Sequence, residues 1–530
     1  MSNHVSQLTP VVPQGAARPK LVWQNRAGVI GLGLLLLSLG LRYTILVQPR
    51  AMEFDQISTL IAATARTWHA YLAAVPIDSQ PPFSHLAARI GLSLPLPEAI
   101  GVHMVSALVT ALAAVCIFRL FQRRAAPLAG LCGAALFTAS RCVEFMFTVR
   151  PYAALMAITA LGVLVYDTYR IRRAAGRPAP LWPLALVLLL SATIHALSLV
   201  YVCMPIVTGE LLHWHQTRRV DTRLLVAVGL ASPAFLFDFA LARYIATHYM
   251  SQVPLSARTP ALPAVAKLYE VMAYPVERRW QTVLFALVLA GTVFLWRNSH
   301  VTGDSSSTPD LLFPFLAAAA VYFAAILAFC IGVANHYFFT RYASPVFVAG
   351  ALLFGALLST SPWQRFPAVP LAIAAVLLVL PLPALVTFVR NGPHTSPQAE
   401  YAAIFQHGDV VASPIVYPTL WWYATPQERT HLRMVTDPDH YRTVPDGISE
   451  AVLRWFARAG VLPFPLTSYR DLHPGDEVYL VRPDLSGDTW LPGTLESHGF
   501  TCALDTSFRS QSYALDHCVR THTTPTSPGP

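Results

Sequence analysis

Long apolar runs recur along this chain, and they limit its fold more than any other feature of the sequence. The first, AGVIGLGLLLLSLGLRYTILV at 27–47, contains Arg42 as its only charged residue. An apolar helix of about 20 residues spans the hydrocarbon core of a bilayer. A soluble core cannot bury many such helices, and only 12% of the 530 residues are charged, against about 25% in soluble domains. We therefore predict a polytopic α-helical membrane protein.

The apolar runs predict about eleven transmembrane helices. They cover residues 27–47, 98–121, 126–146, 151–170, 181–195, 197–215, 223–244, 281–297, 311–333, 343–359 and 367–389. The stretch 181–215 fits either two helices that meet at the TIHALS segment or one long helix.

Basic residues near the helix ends set the predicted orientation. The clusters FRLFQRR, RIRRAAGR and TRRVDTR fall on the same side as the N-terminus, together with Arg297 and Arg365. Retained Arg and Lys mark the cytoplasmic side, so an odd number of helices places the C-terminus outside. The net charge of +9 fits this pattern. No basic stripe with interleaved aromatic residues indicates a nucleic-acid partner.

Four regions follow from this orientation. They are a cytoplasmic tail at 1–26, a transmembrane module at 27–389 with its first external loop at 48–97, a small external α/β domain at 390–520, and a disordered tail at 521–530. In the α/β domain, DVVASPIV and DEVYLVRP are typical of strands, and ISEAVLRWFARAG is typical of a helix that ends at Gly460. Cys502 and Cys518 can form a disulfide in an oxidising compartment or remain as two thiols.

Ionisable residues collect at the predicted outer ends of the helices, where they are candidates for function. In the first external loop, Glu53 and Asp55 precede apolar residues at helical spacing, which predict one helix lying along the membrane surface. Asp55 can also simply cap that helix. Asp78 and Gln80 follow, just before a double proline that gives a stiff entry to another short helix.

Three further outer segments carry candidate residues. FTVRPYAAL places Arg150 and Tyr152 at the start of a helix, where Arg150 is either a site residue or an interfacial arginine that reaches to headgroups. His195 lies at the TIHALS turn and is either a satisfied core histidine or part of the site. The remaining candidates are His336, Arg341 and Tyr342 in ANHYFFTRYASPVF, and Arg258 and Lys267 in the loop 245–280, which is either a lid or a plain connection.

This combination of acids and arginines suits one kind of chemistry. An aspartate near a hydroxyl acceptor can take its proton, and arginines can hold a phosphate leaving group through charge-assisted bonds. A lipid-linked sugar phosphate meets these demands, because its tail stays in the bilayer while its head reaches the interface.

At these residues the chain resembles the GT-C superfamily of membrane glycosyltransferases over about residues 27–390. More closely, it is similar to the bacterial group related to protein O-mannosyltransferases and the lipid A aminoarabinose transferase. The family's Asp-Glu pair is Asp55–Gln56 here, and its D-x-H-P-P-L stretch is DSQPPF, with Gln80 in place of histidine. The family's ARPYAL, RYLLPA and TH segments are VRPYAAL, RYASPV and TIH.

The resemblance implies an inverting transferase of the bacterial inner membrane that uses a polyprenyl-phosphate-linked sugar donor. Asp55 would be the catalytic base, with Glu53 as a second candidate. Arg150 and Arg341 would contact the donor phosphate, and Tyr152 and Tyr342 would shape the pocket. The other residues expected to bind substrate are Asp78, Gln80, His195, His336, Arg258 and Lys267.

The partners and cofactors expected from the resemblance are few. The acceptor would be a glycan, a lipid or a protein, and the protein would be surrounded by membrane lipids. The first external loop at 48–97 carries no DxD motif, so neither an obligatory metal nor another cofactor is expected. The alternatives are a non-catalytic flippase, a polymer export subunit or a protein that only binds lipid-linked sugar. A transporter would place its ionisable groups near the midplane on repeated or broken helices, and this sequence shows no such paired halves.

Overall fold

The structure is a computed structural model. It describes residues 18–47, 52–78, 80–248, 290, 312–334, 340–360, 363, 366–391, 397–406, 409–436, 447–464, 466–468, 471–472, 477–483, 490–497, 499–506 and 513–520. The predicted span 281–297 apart from residue 290, most of the loop 245–280 and the tail 521–530 lie outside the described residues.

Helices make up the first part of the described chain. They are α1 (Arg18–Leu46), α2 (Phe54–Ala63), α3 (Trp68–Ile77), α4 (Phe83–Ser93), α5 (Glu98–Gln122), α6 (Pro127–Ala139), α7 (Tyr152–Ala174), α8 (Trp182–Ile194), α9 (Ser198–Thr217), α10 (Arg223–His248), α11 (Leu312–Ala334), α12 (Val346–Leu358), α13 (Ala368–Val379) and α14 (Leu382–Asn391). Short 3₁₀ turns at Arg141–Phe147 and Thr340–Ala343 precede α7 and α12.

Six helical segments in the described part of the chain are long and apolar enough to cross a membrane, or seven if one bent pair counts as a single span. This confirms a helical membrane architecture, whereas the predicted number of about eleven is not confirmed. The bent pair is α6 with the turn Arg141–Phe147, which meet at 62°. Ser140 between them is extended, with φ −85° and ψ 174°, and breaks the helix there.

Local breaks shape two other predicted segments. The stretch 181–215 forms two helices that meet at the TIHALS segment, the first of the two predicted alternatives, because His195 is extended between α8 and α9. Pro381 separates α13 from α14, as expected for a residue that lacks an N–H and clashes with the preceding turn.

The first external loop forms two short helices before α4, not the single surface helix predicted. Apolar spacing continues through residues 64–67, but the chain turns there, and Thr67 caps α3 by accepting a hydrogen bond from the N–H of Ala70 at 3.1 Å. As a result Ile57 and Leu60 are fully buried, whereas Trp68 is 67% exposed. The turn folds α3 back so that its C-terminal end approaches α2.

The C-terminal part is an α/β domain, and the two strand segments and the helix predicted there are present. Its elements are α15 (Pro397–Phe405), β1 (Val410–Ala412), α16 (Tyr417–Tyr423), β2 (Leu432–Thr436), α17 (Gly447–Arg458), β3 (Thr467–Ser468), β4 (Glu477–Pro483), α18 (Trp490–Ser497), β5 (Phe500–Leu504) and β6 (Tyr513–Arg520). The described strands form a six-stranded sheet in the order β3-β2-β1-β4-β6-β5. Strands β1 to β4 are parallel, and β6 runs antiparallel to β4 and β5.

Alternate strand residues point to opposite faces of this sheet, as the pleat requires. Val410 and Leu515 pack on one face with Ile57 and Leu60 of α2, whereas Val411 packs on the other face against α18. Cys502 and Cys518 lie opposite each other on β5 and β6 and form a disulfide. The α/β domain therefore shares one hydrophobic core with the helix that carries Asp55.

A pair of hydrogen bonds clamps the start of α2 to α16. The Met52 N–H donates to Tyr423 Oη at 3.2 Å, and the hydroxyl of Thr419 donates to the Met52 carbonyl at 3.2 Å. Met52 is 3% exposed. Because Met52 lies three residues before Asp55, this clamp helps to fix where α2 begins.

Tyr423→Phe should lower the free energy of unfolding by about 1–3 kcal/mol, because it leaves the buried N–H of Met52 without an acceptor. The measurement is thermal or denaturant unfolding of the purified protein in detergent. Tyr417→Phe in the same helix is the matched control, because Tyr417 takes part in neither hydrogen bond of the clamp. Equal effects of the two substitutions would show that the clamp does not stabilise the protein.

Candidate active site

Asp55 lies in the first turn of α2, where the helix dipole favours a negative charge. Its side chain is 32% exposed, and Oδ2 lies 2.7 Å from Arg341 Nη2 and 3.6 Å from Arg150 Nη2. The residue at the N-cap is Glu53, whose side chain makes no capping hydrogen bond. Asp55 is therefore an ion-pair partner of two arginines, and capping does not describe its role.

Arg150 lies in the turn before α7, where Pro151 occupies the N-cap with φ −75°. Its side chain is only 8% exposed. Nη1 donates to Thr59 Oγ1 at 3.1 Å and to Asp78 Oδ1 at 2.9 Å. An arginine that reaches to lipid headgroups would be exposed, so this alternative is wrong. Arg150 instead joins the start of α7 to α2 and the end of α3.

Asp78 ends α3 and is surrounded by donors. Its carboxylate accepts hydrogen bonds from Ser58 Oγ and Thr59 Oγ1, both at 2.8 Å, and from His85 Nε2 and Arg150 Nη1, both at 2.9 Å. The side chain is 2% exposed. Burial alone raises the pKa of Asp78, but the charge of Arg150 and the hydrogen bonds from His85 and Ser58 outweigh it and lower the pKa to about 2.

Three of the four residues that donate to Asp78, namely Ser58, Thr59 and His85, were not predicted as part of the site. Asp55, Ser58 and Thr59 lie at i, i+3 and i+4, which places them on one face of α2. That spacing is the signal that sequence analysis could have used. Gln56, which replaces the family's glutamate, accepts a hydrogen bond from the Val149 N–H at 3.2 Å. Gln56 thereby ties α2 to the segment that carries Arg150.

Aromatic rings lie beside the two arginines. The ring centroids of Tyr152 and Tyr342 are 6.3 Å apart, and that of His195 lies 6.3 Å from the first and 5.3 Å from the second. The guanidinium of Arg341 lies 5.6 Å from the Tyr152 ring centroid. Burial, followed by the charges of Arg150 and Arg341, lowers the pKa of His195 to about 4, so its imidazole is neutral at neutral pH.

Several buried polar atoms next to these groups lack a hydrogen-bond partner among the described residues. They include Arg150 Nε, Tyr152 Oη, Ser198 Oγ and Ser344 Oγ. Buried polar groups are normally paired, so each of these atoms calls for a ligand or an ordered water. The arginines and aromatic rings therefore border a place with unmet hydrogen-bonding capacity.

Not every residue predicted for the site lies among these arginines, aspartates and aromatic rings. Glu53 is exposed, and Gln80 is buried with its side-chain oxygen unpaired in the described part of the chain. His336, Arg258 and Lys267 lie outside the described residues. Among the described residues, no group of three or more His, Cys, Asp or Glu side chains is placed to hold a metal ion.

Comparisons with known proteins identify the fold. No family model and no curated protein matches the sequence. The crystal structure of ArnT from Cupriavidus metallidurans bound to undecaprenyl phosphate matches with a TM-score of 0.52 and 13% identity, over 95% of this chain and 98% of that one. ArnT in the apo state matches over the same shares with a TM-score of 0.41 and 12% identity.

The match to the undecaprenyl phosphate complex extends over nearly the whole of both chains, so it includes the α/β domain. It confirms the predicted resemblance at the level of the fold. The chain has the fold of ArnT, as expected from its resemblance to GT-C proteins.

Proposed function

We propose that the protein is an inverting glycosyltransferase that moves a sugar from a polyprenyl-phosphate-linked donor to a hydroxyl acceptor. The observation that carries this proposal is the contact of Asp55 with Arg150 and Arg341 at one end of the helical bundle. The fold supports it, because a protein of the same fold was crystallised with undecaprenyl phosphate.

In the proposed reaction, Asp55 takes the proton of the acceptor hydroxyl. The hydroxyl oxygen attacks the anomeric carbon of the sugar from the face opposite the phosphate. The bond between that carbon and the phosphate oxygen breaks, and its electron pair stays on the phosphate. The products are a glycoside of inverted configuration and the polyprenyl phosphate.

Arg150 and Arg341 stabilise the charge that develops on the leaving phosphate. Guanidinium groups suit this task because they present two donors to a phosphate in fixed geometry. Tyr152 and Tyr342 border the same place, and the unpaired Tyr152 hydroxyl can donate to a phosphate oxygen. In this proposal the two guanidiniums supply the positive charge, and the reaction needs no metal ion.

Asp78 acts as a positioning residue in this account. Its carboxylate is buried and accepts four hydrogen bonds, so it has little capacity left for a substrate. One of the four comes from Arg150 Nη1, which leaves Nη2 facing Asp55. Asp78 and His85 thereby hold the orientation of Arg150, and the ring of His195 lies beside Tyr152 and Tyr342.

The proposed location is the bacterial inner membrane, with the site and the α/β domain on the periplasmic side and the N-terminus in the cytoplasm. The Cys502–Cys518 disulfide of the α/β domain supports this orientation, because disulfides persist in oxidising compartments. A flippase or transporter would place its charged groups near the middle of its spans. Asp55, Arg150 and Arg341 instead lie at or before the N-terminal ends of helices.

Deletion of the gene tests this proposal and can identify the acceptor. We expect mass spectrometry of the cell's lipid A, polysaccharides and surface proteins to show the loss of one glycosyl mass from one of these classes. The wild-type gene should restore that mass, and the Asp55→Asn gene should not. Unchanged envelope glycans, lipids and proteins in the deletion strain would contradict the proposal.

A further inference from the structure

We infer that His195 is a neutral hydrogen-bond donor that binds the leaving phosphate through Nε2. This role rests on the proposed function and adds a residue to its phosphate site. His195 is extended between α8 and α9, with φ −162° and ψ 142°. Its ring centroid lies 6.3 Å from that of Tyr152 and 5.3 Å from that of Tyr342, so the imidazole borders the place proposed for the phosphate.

The backbone already uses one ring nitrogen of His195. The Leu197 N–H donates to Nδ1 at 3.1 Å, and the Ser198 N–H donates to the His195 carbonyl at 2.8 Å. A ring nitrogen that accepts a hydrogen bond carries no proton, and the other nitrogen of a neutral imidazole is then the N–H donor. The proton of His195 is therefore on Nε2.

The Nε2–H of His195 has no hydrogen-bond partner among the described residues. His195 is only 7% exposed, and a buried donor of this kind calls for a ligand or an ordered water. Ser198 Oγ and Ser344 Oγ are buried and also unpaired in the described part of the chain. Tyr201 lies one turn after Ser198 on α9, and its hydroxyl donates to the Tyr342 carbonyl at 2.9 Å. This face of α9 therefore packs against the segment that leads to Ser344, and the unpaired groups lie on facing elements.

A neutral donor suits a phosphate that two arginines also contact. Burial, followed by the charges of Arg150 and Arg341, lowers the pKa of His195 to about 4. Both arginines would repel a protonated imidazole, whereas the neutral ring adds a hydrogen bond without adding charge. A neutral imidazole can polarise an oxygen without giving up its proton. The N–H bond of His195 stays intact, and the only proton that moves is that of the acceptor hydroxyl.

Asparagine and glutamine at position 195 each keep one half of this hydrogen bonding. In His195→Asn, the side-chain oxygen can accept the Leu197 N–H as Nδ1 does, because Asn commonly accepts from the residue two positions later. The shorter side chain does not reach the position of Nε2. His195→Gln can place an amide N–H near that position but gives up the acceptor for Leu197. We expect His195→Asn to weaken polyprenyl phosphate binding at least about tenfold, the loss of one hydrogen bond to a charged group, and His195→Gln to stay within about threefold of the wild type.

The measurement is the Kd of fluorescent polyprenyl phosphate for the purified full-length protein in lipid nanodiscs at neutral pH, with the melting temperature of each variant measured in parallel. His215→Asn removes an exposed histidine from the last turn of α9 and serves as the control, with an expected change below about twofold. His195→Ser, whose hydroxyl can accept the same N–H, gives the same readout should the asparagine variant not fold. Should the glutamine variant not fold, weak binding by an asparagine variant that melts like the wild type still supports the donor role.

Two results would overturn this role for His195. If His195→Asn binds as tightly as the wild type, or if the asparagine and glutamine variants lose binding equally, His195 only shapes the turn before α9. In either case the proposed function stands, because the wild type still binds polyprenyl phosphate. If the wild type binds no polyprenyl phosphate, the proposed function fails as well.

Discussion

Asp55→Asn should leave the protein folded and inserted in the membrane while reducing sugar transfer by about 10²–10⁴-fold, the range that a positioned general base contributes. Asparagine keeps the size of the side chain but cannot accept a proton. Its amide oxygen can still accept a hydrogen bond from Arg341, so the fold around α2 should persist. The loss should therefore appear in the turnover rate rather than in the yield of folded protein.

The measurement is transfer in membranes from the deletion strain that carry each variant at equal protein level. Glu144→Gln serves as the control for an exposed carboxylate lost at the same end of the bundle. Full sugar transfer by the Asp55→Asn variant would show that Asp55 is not the catalytic base. If Glu53→Gln were then inactive, the base would be Glu53, which is exposed at the N-cap of α2 and was the second candidate.

Asp78→Asn should lower the free energy of unfolding by about 3–5 kcal/mol, the cost of removing one partner from a buried ion pair. The amide still fills the space, but the buried charge of Arg150 loses its nearest counterion. Asp409→Asn is the control, because Asp409 is 38% exposed and pairs with Arg433 at 3.1 Å in the α/β domain. An exposed pair of this kind contributes about 0–1 kcal/mol.

The pH dependence of the stability of Asp78→Asn distinguishes the contribution of the Asp78 charge from that of its packing. The folded-state pKa of Asp78 is about 2, below the value of 3.8 for the free side chain. Its stabilising contribution is therefore fully present above about pH 4 and is lost as the pH falls through 2. The stability difference between the wild type and Asp78→Asn should shrink across that window in denaturant titrations. A stability difference that does not change with pH would mean that Asp78 stabilises the protein through its packing and not through its charge.

The variant also tests whether Asp78 positions Arg150. If it does, the folded fraction of Asp78→Asn should show a raised donor KM or a lower rate, and Asp78→Glu should recover part of the activity. A variant that is less stable but fully active when folded would make Asp78 a structural residue only.

The sequence predicted that Asp55, Arg150 and Arg341 lie on the same outer side of the membrane, because the positions of helix starts depend on chain order and local pattern. Asp55, Arg150 and Arg341 each lie just before or within the first turn of a helix, and apolar runs make those helix starts visible. Once the helices are placed in a bundle, starts that fall at the same end come together. This is why residues nearly 300 positions apart could be expected in one place.

The contacts of Asp78 could not be predicted in the same way. They depend on a turn at residues 64–67 that folds α3 back against α2, and apolar spacing continues through that turn as if one helix were present. The predicted number of spans was not confirmed for a related reason. Single residues such as Ser140 and Pro381 break helices whose apolar composition is continuous.

The most direct test of the account is a transfer reaction with purified components. Lipid-linked sugars extracted from the deletion strain, where unused donor should accumulate, would be added to the wild-type protein in lipid vesicles together with the acceptor identified from that strain. We predict that the polyprenyl-phosphate sugar is consumed, that polyprenyl monophosphate and a glycosylated acceptor of inverted anomeric configuration appear, and that Asp55→Asn produces neither. Donor that remains intact, or equal transfer by both proteins, would contradict the account.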